Sequence, residues 1–199
     1  MQPLVRRALV VSVALLAGAL AYALGLALRP PPELAGTELD RPPRVVDLDL
    51  VAADGSDVRL ADYAKRGTLL VFFGFTRCPD VCALTMAQLA RVYDHLGAPD
   101  DLTVAMITVD PEYDTPEVLG PYVAAFHPDF VALSGTNSQI ATAASTFFIG
   151  YAGIGSSNFV HTDVVAVVDR AGTLRFVYGQ EALRRLPADL ADIRRRPGF

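Results

Sequence analysis

The sequence predicts an α/β domain behind a single N-terminal transmembrane helix. Three features lead there: an uncharged apolar stretch at residues 8–28, short apolar runs alternating with helical periodicity from residue 45 onward, and two cysteines, Cys78 and Cys82, placed where a strand gives way to a helix. Roughly 20 apolar residues suffice to cross a bilayer. Arg6 and Arg7 precede the stretch and Arg29 ends it, a bias that keeps the N-terminus cytoplasmic and exports the remainder. A cleaved signal peptide is the alternative, because Ala21-Tyr22-Ala23 and Gly25-Leu26-Ala27 resemble small-residue cleavage sites. The stretch exceeds the usual h-region of about 7–15 residues, which favours an uncleaved anchor over residues 1–28. No cysteine lies near it, so a lipid anchor on cysteine is excluded.

Residues 29–44 hold Pro30-Pro31-Pro32 and Pro42-Pro43 and read as an extended spacer. Residues 45–199 suit one domain with its own core. The chain carries 17 basic and 22 acidic residues. Setting aside Arg6 and Arg7 leaves 15 of those 17 against 22, near −7 for the exported part, which argues against nucleic acid as a partner. Two cysteines in an exported domain do not make a disulfide scaffold, so the pair is redox-active or metal-binding.

Residues 45–51 alternate, and Asp54-Gly55 turns the chain toward Val58 and Leu60, which predicts a hairpin. Residues 69–75 form a continuous apolar run, as a strand buried on both faces requires. Val81, Leu84, Leu89, Val92 and Leu96 recur at helical spacing over 79–96. A second buried strand covers 102–109. Thr115-Pro116-Glu117 opens a helix to about residue 126, with threonine as cap and proline first. A short strand at 130–133, a helix over 137–148 and a glycine-rich loop at 150–158 follow. Strands at 162–168 and 173–178 and a helix at 181–195 close the chain. Strand and helix twice over, then a hairpin and a helix, is the thioredoxin plan, elaborated here by an extra N-terminal hairpin and an inserted helix. In that plan the functional cysteines lie between the first core strand and the next helix, where Cys78 and Cys82 stand.

With Cys78 as helix cap and Pro79 as the first helical residue, Cys82 follows one turn later on the same face. The helix N-terminus favours thiolate, the form that attacks disulfides or binds metal. Helical i and i+4 β-carbons sit about 5–6 Å apart, whereas a disulfide wants about 3.8 Å. A metal tolerates the wider gap, with zinc–thiolate bonds of about 2.3 Å as a guide. Soft thiolates select Cu(I), zinc or iron–sulfur; two ligands fall short of the four zinc wants, whereas Cu(I) is satisfied by two or three. The third ligand comes from His95, His127 or His161. His95 sits three turns down the cysteine helix and faces solvent, and His127 stands where a helix breaks and suits a cap. His161 immediately precedes a core strand that begins beside the cysteines in the thioredoxin plan, so it is the favoured ligand.

Phe73-Gly74-Phe75-Thr76-Arg77-Cys78-Pro79-Asp80-Val81-Cys82 resembles the signature of the SCO/SenC copper-chaperone family. Thr108-Val109-Asp110-Pro111-Glu112-Tyr113-Asp114-Thr115-Pro116 resembles its second motif, and His161-Thr162 falls where its copper-binding histidine lies. The resemblance covers about residues 45–178. It implies a membrane-tethered thioredoxin-like domain, on the extracytoplasmic side, that binds copper through Cys78, Cys82 and His161. Cu(I) is the expected state, with Cu(II) as a second. It further implies delivery of copper to the CuA site of cytochrome c oxidase, or conditioning of that site's thiols. The partner is then the oxidase subunit carrying CuA, with other periplasmic copper chaperones or thiol reductases beside it. Three positions depart from the family pattern: Ala83 where proline is common, Tyr113 where arginine is frequent, and Val160 where many members carry an acid. The last bears on how His161 is oriented, and Asp163 is the residue placed to compensate.

A non-enzymatic Cu(I) chaperone is the expected activity, and an exported thiol-disulfide oxidoreductase is the alternative. Oxidoreductases of this fold usually carry Cys-x-x-Cys and a proline before the facing strand; here the spacing is one longer and Val160-His161-Thr162 takes the proline's place. A peroxidase is disfavoured because residues 72–76 lack the proline of a peroxidatic site. Asp110-Pro111 reads first as a turn and second as an acidic group beside the metal. Asp80 reads as a first-turn carboxylate, Phe72, Phe73, Phe147 and Phe148 as core, and the arginines at 184–185 and 194–196 as a solvated face.

Overall fold

The computed structural model describes residues 2–28, 33–45, 47–153 and 160–199. The chain divides into two units, Met1–Glu33 and Leu34–Phe199. The first holds helix α1 (Gln2–Ala27). Its 20-residue stretch Arg7–Leu26 is long and apolar enough to cross a membrane, and at 1.5 Å per residue it spans about 30 Å.

The second unit runs β1 (Thr37–Glu38), β2 (Asp49–Ala52), β3 (Asp57–Arg59), α2 (Leu60–Ala64), β4 (Thr68–Gly74), α3 (Val81–His95), β5 (Leu102–Thr108) and α4 (Pro116–Ala124). It continues with β6 (Val131–Ser134), α5 (Asn137–Thr146), β7 (Tyr151–Ala152), β8 (Val160–His161), β9 (Val164–Val168), β10 (Leu174–Gly179), a 3-10 turn (Ala182–Arg185) and α6 (Leu186–Ile193). Eight strands form one sheet in the order β1-β10-β9-β4-β5-β6-β2-β3. Strands β4, β5 and β6 are parallel, while β9 runs antiparallel to β4 and to β10. This is the expected thioredoxin-like α/β architecture with its added hairpin. Every residue of β4 is buried, as its unbroken apolar run demands.

Several elements differ from the sequence reading for identifiable reasons. The hairpin turns at Asp54-Gly55, but only 49–52 and 57–59 pair; Leu60 starts α2, whose Leu60 and Ala64 are buried. Val46, inside the predicted first strand, lies outside the described residues, as do 29–32 of the spacer and 154–158 of the glycine-rich loop. The part of the predicted spacer from Leu34 onward belongs to the domain. Thr37–Glu38 pairs with β10, the Ala35 amide donates to the buried Asp189 carboxylate at 2.7 Å, and any Cβ on Gly36 would strike the Tyr178 ring at 2.3 Å. Long-range pairing of this kind leaves no local periodicity to read.

The strand predicted over 162–168 starts only at Val164, because Val160–His161 just before it pairs with Tyr151–Ala152 in a separate two-stranded ribbon and Thr162 and Asp163 stand between. The closing helix is broken into a 3-10 turn and α6. Helix α3 buries Cys82, Thr85, Met86, Leu89, Val92 and Tyr93, so its inward stripe is set one position away from Leu84, which is 51% exposed. Phe72, Phe73 and Phe147 are core as expected. Phe148 is not: it follows α5 with φ of 59° and is 65% exposed, since the chain reverses there to let the Ile149 amide reach the Ala144 carbonyl.

Candidate metal centre

Parallel pairing of β4 and β5, with Gly74 opposite Thr108, brings the loops after both strands to the same edge of the sheet. The first loop carries Cys78 and the second carries the Asp110–Asp114 segment. Helix α3 starts at Val81 with Asp80 as its cap residue, two positions later than the sequence reading placed it, and the Asp80 side chain makes no capping bond. The Cys78 sulfur fills that role, accepting a hydrogen bond from the Cys82 amide at 3.4 Å. Cys78 is half-buried and Cys82 fully buried.

Burial, and then the contact with Cys78, push the Cys82 thiol well above the ordinary thiol range. A metal taking this sulfur must therefore expel its proton. The same shift makes the fold pH-sensitive. An unfolded chain ionises Cys82 at its ordinary pKa and the folded chain does so later, so the stability this thiol contributes is intact below about pH 8.5 and is lost as pH rises beyond it. Urea midpoints of the reduced protein should accordingly fall from pH 8 to pH 10, and fall less in Cys82→Ala.

His161 reaches this pair from the ribbon. Its Nε2 lies 3.3 Å from Cys82 Sγ, and its Nδ1 lies 3.1 Å from the Thr162 carbonyl. A carbonyl only accepts, so Nδ1 carries the proton in that bond and Nε2 turns its lone pair toward the sulfur. The edges of Phe72 and Phe75 stand against the ring at centroid separations of 6.2 and 5.9 Å. The ligand atoms of Cys78, Cys82 and His161 all lie within 4.8 Å of one another, the one such group among the described residues. Gly74 leaves the sulfur its space, since a Cβ there would sit 3.1 Å from Cys82 Sγ and 2.7 Å from the Phe72 ring.

The cysteine loop is tethered to the second loop. The buried Asp114 carboxylate accepts from the Thr76 amide at 3.0 Å, from the Thr76 hydroxyl, and from the Thr108 hydroxyl at 2.6 Å. Arg77 pairs with the buried Asp110 at 2.5 Å and lies over the Tyr113 ring at 4.0 Å. Asp110 fits the first of its readings, a turn, since its carbonyl accepts the Tyr113 and Asp114 amides at 3.1 and 2.8 Å, while its carboxylate goes to Arg77. Tyr113, a departure from the family pattern, holds Arg77 by its face. The anchoring role of Asp114 escaped the sequence reading; an acid four residues after Asp110, at the end of a strand parallel to the cysteine strand, was the available signal. Asp114→Ala strands three donors and should cost about 3–5 kcal/mol in urea unfolding.

The other histidines stand apart from this group. His95 is exposed near the end of α3. His127 packs against Tyr93 and Phe130, accepts the Asp129 amide on Nδ1 at 3.1 Å, and faces Asp94 at 3.4 Å, so it closes a turn. Asp163, expected to orient the His161 ring, accepts hydrogen bonds from Thr85 and Gln180.

The architecture and this centre define a thioredoxin-like domain with two thiols and one imidazole gathered at the start of its first core helix. The sequence matches the SCO1/SenC family over residues 38–194. The chain belongs to that family. The solution structure of apo Sco1 from Thermus thermophilus is 38% identical with a TM-score of 0.71, covering 81% of this chain and 97% of that one. The crystal structure of Arabidopsis thaliana ScoI with copper bound is 25% identical with a TM-score of 0.69, covering 76% and 99%. An SCO2-like protein of Rickettsia prowazekii is 36% identical over 115 residues, 54% of this chain and 56% of that protein. The chain spans about half the length of the curated relatives it matches.

Proposed function

We propose that this protein is a copper chaperone, not an enzyme, that holds Cu(I) on the Cys78 and Cys82 thiolates and the His161 imidazole. In this reading α1 anchors it in a membrane, the domain works on the extracytoplasmic side, and it takes part in assembly of the CuA site of cytochrome c oxidase. The observation that carries the metal reading is the approach of His161 Nε2 to Cys82 Sγ at 3.3 Å, with the opposite ring nitrogen engaged by a carbonyl. Two soft thiolates and one imidazole match Cu(I) and leave zinc one ligand short. Two relatives, from Arabidopsis thaliana and Bradyrhizobium japonicum, have structures with copper bound. The oxidase as recipient follows from the family resemblance, and the acidic domain suits a basic partner rather than nucleic acid.

The contact between the Cys82 amide and the Cys78 sulfur favours one second reading, a thiol reductase that keeps partner cysteines reduced. There the half-buried Cys78 meets the partner and Cys82 resolves the mixed disulfide. Anaerobic titration of the reduced full chain in detergent, against a chromophoric Cu(I) chelator, separates the two. Chaperoning predicts one Cu(I) per chain. Because the Cys82 proton must leave, affinity should rise at least about tenfold per pH unit between about pH 6 and 8. Disulfide exchange without copper retention establishes the reductase instead.

A further inference from the structure

His161 does not sit in the main sheet. It lies on the two-stranded β7–β8 ribbon, and the main sheet resumes only at Val164. Thr162 bonds back to Gly150 through its amide at 2.8 Å and its hydroxyl, but both residues belong to the ribbon's own base. Something must fix the ribbon relative to α3, which carries Cys82. Phe72 and Phe75 give the ring apolar walls, and edge contacts of this kind set no precise distance.

Asp163, two residues past His161, supplies directional bonds. One carboxylate oxygen accepts from the Thr85 hydroxyl at 3.3 Å, and the other accepts from Gln180 Nε2 at 2.7 Å. Gln180 Nε2 also donates to Thr85 Oγ1. The donor count closes: the amide's two hydrogens go to Asp163 and Thr85, and the single hydroxyl hydrogen goes to Asp163. Thr85 is fully buried on α3, one turn beyond Cys82. Gln180 follows the end of β10, which pairs in regular register with β9 from Phe176 to Gly179, beyond a shift between Leu174 and Phe176. Three elements therefore meet in one ring of hydrogen bonds: the cysteine helix, the histidine segment and the far hairpin strand.

We infer that Thr85, Asp163 and Gln180 form a clasp that positions the His161 imidazole against the Cys82 sulfur and so sets the affinity of the site for Cu(I). The inference rests on the chaperone reading for its ligand. The three side chains are positioning residues; none is placed among the metal's ligands. Loss of the clasp leaves both sulfurs in place and frees the imidazole to swing away with its ribbon.

The test uses the reduced full chain in detergent, with Thr85→Val, Thr85→Ser and Gln180→Ala. Valine keeps the volume of the buried threonine and removes its hydroxyl, whereas serine keeps the hydroxyl. Thr85→Val and Gln180→Ala should each weaken Cu(I) binding about 10–100-fold, the range for groups that orient metal ligands, with Thr85→Ser close to wild type. In the metal-free protein, amide exchange at Thr162 and Asp163 should accelerate in the two weakened variants and return to wild-type rates in Thr85→Ser. In a His161→Ala background, Gln180→Ala should have no further effect on copper affinity. Unchanged affinity in Thr85→Val overturns the clasp even if exchange is faster, and so does an effect of Gln180→Ala that persists without His161. If Gln180→Ala fails to fold, Thr85→Val decides the matter. A wild type that binds no Cu(I) refutes the chaperone reading, and unchanged amide exchange in Thr85→Val then refutes the clasp separately.

Discussion

Cys78→Ser should lower Cu(I) affinity by at least about two orders of magnitude while leaving the metal-free fold intact. The size follows from ligand arithmetic. Structural metal sites with four ligands bind with about 10–16 kcal/mol, or about 2.5–4 kcal/mol per ligand, which is about 100-fold or more for one thiolate. The small cost to folding follows from position, because Cys78 is half-buried in the loop ahead of α3 and serine's oxygen can still accept the Cys82 amide. Cys82→Ser should lose copper equally but also lose stability, since it places a hydroxyl in a fully buried pocket beside Phe72 and Gly74. Chelator competition and urea unfolding on both variants give this contrast. Tight binding retained in either variant rules out a two-thiolate site.

His161→Ala should have a smaller effect than either cysteine change, a loss of about 10–100-fold. Cu(I) accepts two ligands, so the sulfurs still hold it when the imidazole is gone. The ranking is informative because disulfide exchange orders the residues differently: it requires both sulfurs and tolerates loss of the ring. If His161→Ala leaves copper affinity unchanged while thiol exchange persists, the reductase reading prevails. Substituting His127, which closes the turn at residues 127–130 and packs against Tyr93 and Phe130, should alter stability and leave copper affinity alone.

Cys78 and Cys82 were legible in the sequence because two scarce residues stood together at a strand-to-helix junction. His161 was legible through topology, since the order of strands and helices places the segment leading into β9 beside the start of α3. What escaped was held by contacts between residues distant in sequence. Thr37–Glu38 pairs with β10 although nothing local marks it as a strand. Gln180 and Thr85 meet across 95 positions, and neither carries a motif. Phe148 is apolar and was read as core, yet the αL turn after α5 directs it outward. The start of α3 slipped by two residues, to Val81 with Asp80 as cap residue, although the sulfur of Cys78, the expected cap, still receives a helix amide. Periodicity reports which face of an element is buried. It does not report which loops tie one element to another, and here those ties hold the site together.

The central claim is that one imidazole and two sulfurs share a single Cu(I). X-ray absorption at the copper edge of the loaded protein measures this directly. Two sulfur neighbours and one nitrogen neighbour are expected in the wild type, with the nitrogen absent and both sulfurs kept in His161→Ala. A nitrogen signal that survives in His161→Ala, or a wild-type spectrum with sulfur alone, contradicts the account.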